Sequence, residues 1–517
     1  MHEQNMIDQY STWVGLIYIF NLIVGTGALT LPAVFSRAGW ALGLSIILVL
    51  GFISFVTVTF VIEVMASANA MVTWSQIQHR KRVCFSQDSS FNESESELHQ
   101  RLGESGPSNS DSEDTPLVTP FSSSPDRSDM VYRYYIIRDK IEMGQMASIF
   151  FNKFGTTLFY LCFAIYLYGD LSIYGAAVAK SLADVACTYQ PKNLTCNETI
   201  PDTELCWENI ALDRFHAYRI FLTIFVLSLG PFVFFNIQKT KYLQLLTSVM
   251  RWLAFTIMIV YALKSLFIHG PRGNPPAANV AGIPSMFGAC VYSFMCHHSL
   301  PALVAPIANK STLNRSLALD YLLIAFFYLL LALTGAFAFQ HLDDLYSLDF
   351  IPSGNGDCSK SRSIFAILIG YFLALFPVFT LSTSFPIIAI TLRNNLQSLF
   401  LNQDTSYNLC FRKLVFPVLA VLPPYLIAMT TKDLSILVGI TGSYAGAGIQ
   451  YLIPTFLVYY ARKKTNKHIG LGVVNKFASP FSSNCWLVFV IAWAITCMIL
   501  VSVNFIEVHL QFTSVNQ

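Results

Sequence analysis

A chain of 517 residues that is 54% hydrophobic and only 12% charged, with a mean hydropathy of +0.52, is too apolar for a water-soluble domain of this size. Its formal net charge of +2 offers no electrostatic footprint for nucleic acid or another polyanion. Strands of alternating polarity are absent, so the chain must cross lipid as helices, which satisfy their backbone hydrogen bonds internally.

The N-terminal stretch lacks the basic start of a cleavable signal peptide, so the first span is expected to stay in place as its own anchor. Apolar runs predict eleven spans, at 13–35, 40–67, 156–182, 216–235, 243–268, 284–306, 317–339, 363–392, 414–430, 434–460 and 485–506. Pro423 and Pro424 interrupt the short ninth run. Between spans two and three, residues 84–130 turn to Ser, Asp, Glu and Pro, too polar to bury a core. They are expected to form a disordered cytosolic insertion, either a solvated tether or a phosphorylated segment whose partners the sequence does not identify. Helical patterning resumes over 142–154 as an interfacial helix, and residues 142–506 join spans one and two (13–67) to complete one transport domain.

With a cytosolic N-terminus, 22 of the 32 lysines and arginines fall on the cytosolic side and 10 outside, which fixes the expected orientation and puts the C-terminus outside or in a lumen. Cys187, Cys196 and Cys206, between spans three and four, and Cys358, between spans seven and eight, then lie on the oxidising side. A disulfide is expected within the first of these loops, or between it and Cys358. Of five glycosylation sequons, those at Asn193 and Asn197 flank Cys196 in the same outer loop and are the expected acceptors.

Span one carries Asn21, Gly25, Thr26 and Gly27 where a membrane helix would hold larger apolar side chains. Unwinding there would expose backbone amides to a carboxylate, or carbonyls to a cation; alternatively the glycines only admit a neighbouring helix. Span six is interrupted in the same way, from Tyr292 through Phe294, Met295, His297 and His298 to Pro301. Breaks five spans apart point to two five-helix halves in inverted repeat, with a solute site at their interface.

Asn21, Gly25, Gly27 and Leu29 match an Asn-x-x-x-Gly-x-Gly-x-Leu pattern, and Phe294, Cys296, His297 and Pro301 a Phe-x-Cys-His-x-x-x-Pro pattern. In these the chain resembles the amino acid/auxin permease family, which includes the sodium-coupled neutral amino acid transporters. Within it, the nearest resemblance is to the transmembrane protein 104 branch. Ser382–Arg393 and Gly439–Pro454 are similar to the family's eighth and tenth spans. The resemblance implies an all-α membrane protein of eleven transmembrane helices with the leucine-transporter type of 5+5 inverted repeat. It also implies substrate between the unwound parts of spans one and six, and sodium, where used, between spans one and eight. Asn21, Ser382 and Ser384 are the residues it marks for that cation, although serine hydroxyls also bond carbonyls of their own helix.

Asp170, near the middle of span three, would be costly if it faced lipid and is expected to relay a proton or to pair with a polar neighbour. Of His297 and His298, at most one should line the site, and Glu63 is expected at the interface. No nucleophile elbow, metalloprotease helix, phosphate loop or paired Cys-x-x-Cys is present, so the chain is not expected to be an enzyme or to need an organic cofactor. The expected function is transport of amino acids or related small organic solutes as a symporter coupled to sodium or protons, with solute and bilayer as the expected partners. The membrane is the plasma membrane or an endolysosomal one. The competing class is a sensor that binds a solute in the same fold without moving it. The substrate site would comprise Gly25, Thr26, Gly27, Tyr292, Phe294, Met295 and His297.

Overall fold

A computed structural model describes residues 9–101, 134–189, 200–235, 241–351, 363–401, 409–470 and 473–515. Among these, nine helices are long and apolar enough to cross a membrane. A tenth crossing is Thr12–Ile23 and Thr26–Ala38, bent by 53°. The segment expected as span six is broken into Ile283–Ser293 and Leu300–Val304, each too short to qualify alone. These correspond to the spans expected from hydropathy. Their outward faces carry exposed Leu227, Phe267, Leu319, Phe326 and Phe365, while Asn21, Asp170, His297 and Asp320 are buried, a distribution that suits lipid as solvent.

Span two is the helix Trp40–Arg101, which runs into the segment expected to be disordered. Propagating an existing helix is cheaper than nucleating one, and the stretch contains Glu, Leu, Gln and Arg, all good helix formers. Residues 102–133, the rest of that segment, lie outside the described residues. A short helix, Met143–Phe150, follows where an interfacial helix was expected, closed by a capping box between Glu142 and Gln145.

Span three, Lys153–Ala186, is the central post: spans eight (Ile364–Phe400), four (Arg214–Leu229), nine (Leu409–Thr430) and ten (starting at Leu434) all pack on it. Span nine stays helical through Pro417, Pro423 and Pro424. Pro423 cannot donate to the carbonyl of Leu419, and the Tyr168 hydroxyl of span three supplies that bond instead, at 2.8 Å. Span ten contains two π-helical turns, Gly442–Gly446 and Gly448–Leu452, before continuing as Ile453–His468. Spans five (Lys241–His269), seven (Leu313–Ala338) and eleven (Asn484–Val515) complete the bundle.

Between spans three and four, Leu205–Trp207 and Ile210–Asp213 form a two-stranded antiparallel hairpin. Cys206 of the hairpin is joined to Cys187 at the end of span three, so the expected disulfide forms within this loop. Cys196, Cys358, Asn193 and Asn197 lie outside the described residues.

Candidate functional site at the two helix breaks

The first half of span one ends at Ile23, after which the Gly25 N–H turns back to the Ile23 carbonyl at 2.8 Å and a new helix starts at Thr26. The two glycines here have different roles. A Cβ on Gly27 would lie 2.5 Å from the Ser293 hydroxyl oxygen and 2.7 Å from the Ser293 Cα, so the backbones of spans one and six touch at this point. A Cβ on Gly25 would meet nothing closer than the Leu22 carbonyl, at 3.9 Å, and its φ of −125° is negative. The expectation that both glycines permit a close approach therefore holds for Gly27 and fails for Gly25.

Ser293 is the last helical residue before the break in span six, so the two interruptions meet. Tyr328 of span seven joins them. Its hydroxyl is fully buried and lies 2.9 Å from both the Ile23 and the Ser293 carbonyl, groups that helix termination leaves without intrahelical donors. On the amide side, Thr26 and Gly27 start the second half-helix, where N–H groups have no carbonyl of their own helix to reach.

The residues of the span-six break diverge. The Tyr292 hydroxyl donates to the Asp170 carboxylate of span three, and Tyr166 lies beside Tyr292 with ring centroids 6.4 Å apart. Phe294 turns toward spans two and seven, against Gly51, Tyr321 and Tyr328. Met295 reaches Gly446 in the π-helical part of span ten. His297 is fully buried and pairs with Thr57 of span two at 2.8 Å. It is His298 that faces Tyr166 and Phe163, at 5.5 and 5.6 Å between ring centroids. Asp170, Tyr166, Tyr292 and His298 thus share one region of the bundle.

The three residues marked for a cation do not gather as readily. The Asn21 backbone carbonyl accepts a bond from the guanidinium of Arg251 in span five. The Ser384 hydroxyl donates to the Thr380 carbonyl of its own helix at 3.2 Å. Span eight packs on spans three, five and nine, and Ser382 is half-buried within it.

Buried ion pairs close both ends of the bundle. At the end of span three, Lys180 bonds Asp343 at 2.5 Å and also bonds Asp344, whose other oxygen accepts the Leu434 N–H of span ten at 2.6 Å. Burial would raise both carboxyls; the Lys180 ammonium nevertheless holds Asp343 below the usual carboxylate range, while Asp344, next to the Asp343 charge, is pushed up to about 7. At the far end of span ten, Arg462 makes a bidentate pair with Glu63 at 2.7 and 2.8 Å, and the Ser479 N–H also donates to Glu63 at 2.9 Å. Glu63 is therefore a buried cross-link, and among the described residues Arg462, distant in sequence, is the cation paired with it.

Sequence reasoning missed Tyr328, Tyr166 and Arg251. Arg251 had a usable signal, a single guanidinium inside an apolar run. The tyrosines had none, since a membrane helix carries many aromatic residues with no site nearby.

The chain matches the model of the family described as transmembrane amino acid transporter protein over residues 8–79 and 131–502. It is similar along its whole length to curated proteins named for their membrane character. It is 51% identical over 508 residues to the transmembrane protein 104 homolog of Drosophila melanogaster, covering 96% of this chain and 97% of that one. It is 47% identical over 505 residues to human transmembrane protein 104, with the same coverage. The Dictyostelium discoideum homolog is 33% identical over 512 residues, covering 95% and 96% of the two chains.

Proposed function

Because the chain belongs to the transmembrane amino acid transporter family, we propose that it is a secondary active transporter of amino acids or related small organic solutes. The observation that carries this reading is the meeting of two helix breaks, Gly27 against Ser293, bridged by the Tyr328 hydroxyl. Broken helices in contact at mid-bundle present amides at one half-helix start and carbonyls at one half-helix end within a few ångströms. A small zwitterion matches both: its carboxylate suits the amides of Thr26 and Gly27, and its ammonium group suits the span-six carbonyls and the Asp170 carboxylate. Tyr166, Tyr292 and His298 would then set the size of side chain admitted.

Alternating access would rock one five-helix half against the other around this point, with the ion-pair clusters at Lys180 and at Glu63 opening in turn. The coupling ion is sodium or a proton. Asp170 is the proton candidate because it is buried and receives a hydrogen bond from Tyr292 of the moving span. No organic cofactor or catalytic step is required. The N-terminus is assigned to the cytosol, with glycans on Asn193 and Asn197 outside or in a lumen, and the membrane is the plasma membrane or an endolysosomal one. Exchange of labelled amino acids by the purified protein in lipid vesicles tests this function. Saturable binding without any exchange would replace the transporter by a solute sensor on the same fold.

A further inference from the structure

Arg251 has no part in the solute site described above, yet it sits beside the break. It lies in span five, Lys241–His269, and its guanidinium donates to the carbonyl of Asn21, within the last turn before span one unwinds. The adjoining Trp252 stacks on Phe20 with ring centroids 4.4 Å apart, which fixes span five against that turn. Tyr174 and Tyr328 are the guanidinium's electrostatic neighbours.

A half-helix ending inside a membrane leaves carbonyls with outward lone pairs and the negative end of the helix dipole, a combination that attracts a monovalent cation. In span one three of those carbonyls, at Phe20, Asn21 and Ile23, are already engaged. Phe20 accepts from Val24, Ile23 accepts from Gly25 and Tyr328, and Asn21 accepts from Arg251. The Ser384 hydroxyl of span eight donates to the Thr380 carbonyl of its own helix. A second cation placed here would be repelled by the guanidinium at short range in a region of low dielectric.

We propose that Arg251 is the resident cation of the span-one break, a covalently tethered positive charge at the position where sodium would otherwise bind. This rests on the transporter reading for its purpose but not for its test. It also makes Asn21 a residue that acts through its backbone carbonyl, so Asn21→Ala should leave the contact intact.

The experiment is thermal unfolding of the purified full-length protein with sodium chloride exchanged for choline chloride at constant ionic strength, which requires no substrate. The wild type and Arg251→Lys are expected to unfold at the same midpoint in both salts. Arg251→Gln keeps a donor for the Asn21 carbonyl but loses the charge, and is expected to unfold at a lower midpoint in choline that rises as sodium is added. A saturable sodium-dependent rise in the wild type, lost on changing Ser382 or Ser384 to Ala, would overturn the proposal. So would an Arg251→Gln variant as stable as wild type and indifferent to sodium. Should Arg251→Gln not fold, the wild type and Arg251→Lys decide alone, since sodium stabilising either contradicts a resident cation. None of these outcomes depends on amino-acid flux, so a failure here is distinguishable from a failure of the transport assignment.

Discussion

Lys180→Met isolates the ionic cluster that ties span three to the loop after span seven and to the start of span ten. The substitution preserves side-chain length and apolar packing but removes the only ammonium bonded to Asp343 and Asp344 among the described residues. Lys180 is 8% exposed and Asp344 7%, whereas the Asp343 side chain is 29% exposed, so solvent screens part of the stranded charge. Removing one partner of a buried ion pair costs about 3 to 5 kcal/mol, chiefly through the uncompensated charge left behind, and the cost here falls toward the lower end of that range. The variant can escape part of this by taking up protons, which gives the deficit a pH dependence. In the wild type, Asp343 is held low, so its stabilisation is present above the unfolded carboxylate pKa of about 4 and is lost as pH falls. Asp344 is raised to about 7, so its folded form keeps a proton that the unfolded chain releases, and its contribution declines as pH rises between about 4 and 7. Without Lys180, Asp343 joins Asp344 in this second behaviour. The deficit relative to wild type should therefore shrink by up to about 1.4 kcal/mol per pH unit as pH is lowered from 7 to 5. Chemical denaturation of the purified protein at several pH values measures it. A deficit below about 1 kcal/mol, typical of an exposed pair, or one that stays flat with pH, would refute the reasoning.

Tyr292→Phe removes the donor to Asp170, and Asp170→Asn removes the titrating group while keeping an acceptor for Tyr292. If transport is proton-coupled, Asp170→Asn should flatten the pH profile of uptake while Tyr292→Phe shifts it, and two profiles identical to wild type would exclude Asp170 as the relay. Digestion with an N-glycosidase should increase electrophoretic mobility, and Asn193→Gln with Asn197→Gln should abolish that increase; an unchanged shift would move the glycans elsewhere. Cys206→Ser should release Cys187 for alkylation, and a thiol count that stays at the wild-type value would contradict the pairing.

The spans were readable from the sequence because lipid demands long apolar helices, and even the broken first and sixth spans were marked by Gly25, Gly27, His297 and Pro301. Which glycine matters was not readable. What sets Gly27 apart is Ser293 lying opposite it, and Ser293 comes from a span far away in sequence. The same holds for the divergence of Tyr292, Phe294, Met295 and His297, because an unwound segment has no 3.6-residue period to predict which side chains share a face. Asp170 was identifiable as a costly buried carboxylate, but its partner Tyr292 was not. The continuity of span nine through Pro423 was hidden for a similar reason, since the rescuing hydroxyl is that of Tyr168 in another helix.

The central claim is that a solute is held and moved where the breaks of spans one and six meet. Counterflow of labelled small amino acids into preloaded vesicles, with sodium and pH gradients set independently, tests it most directly when wild type, Gly25→Ala and Gly27→Val are compared. A Cβ at Gly25 would meet only ordinary van der Waals contacts, whereas one at Gly27 would clash with Ser293. The account therefore predicts saturable exchange by wild type and Gly25→Ala, and its loss in a Gly27→Val protein that is still correctly folded and inserted. Exchange by folded Gly27→Val at the wild-type rate would contradict it.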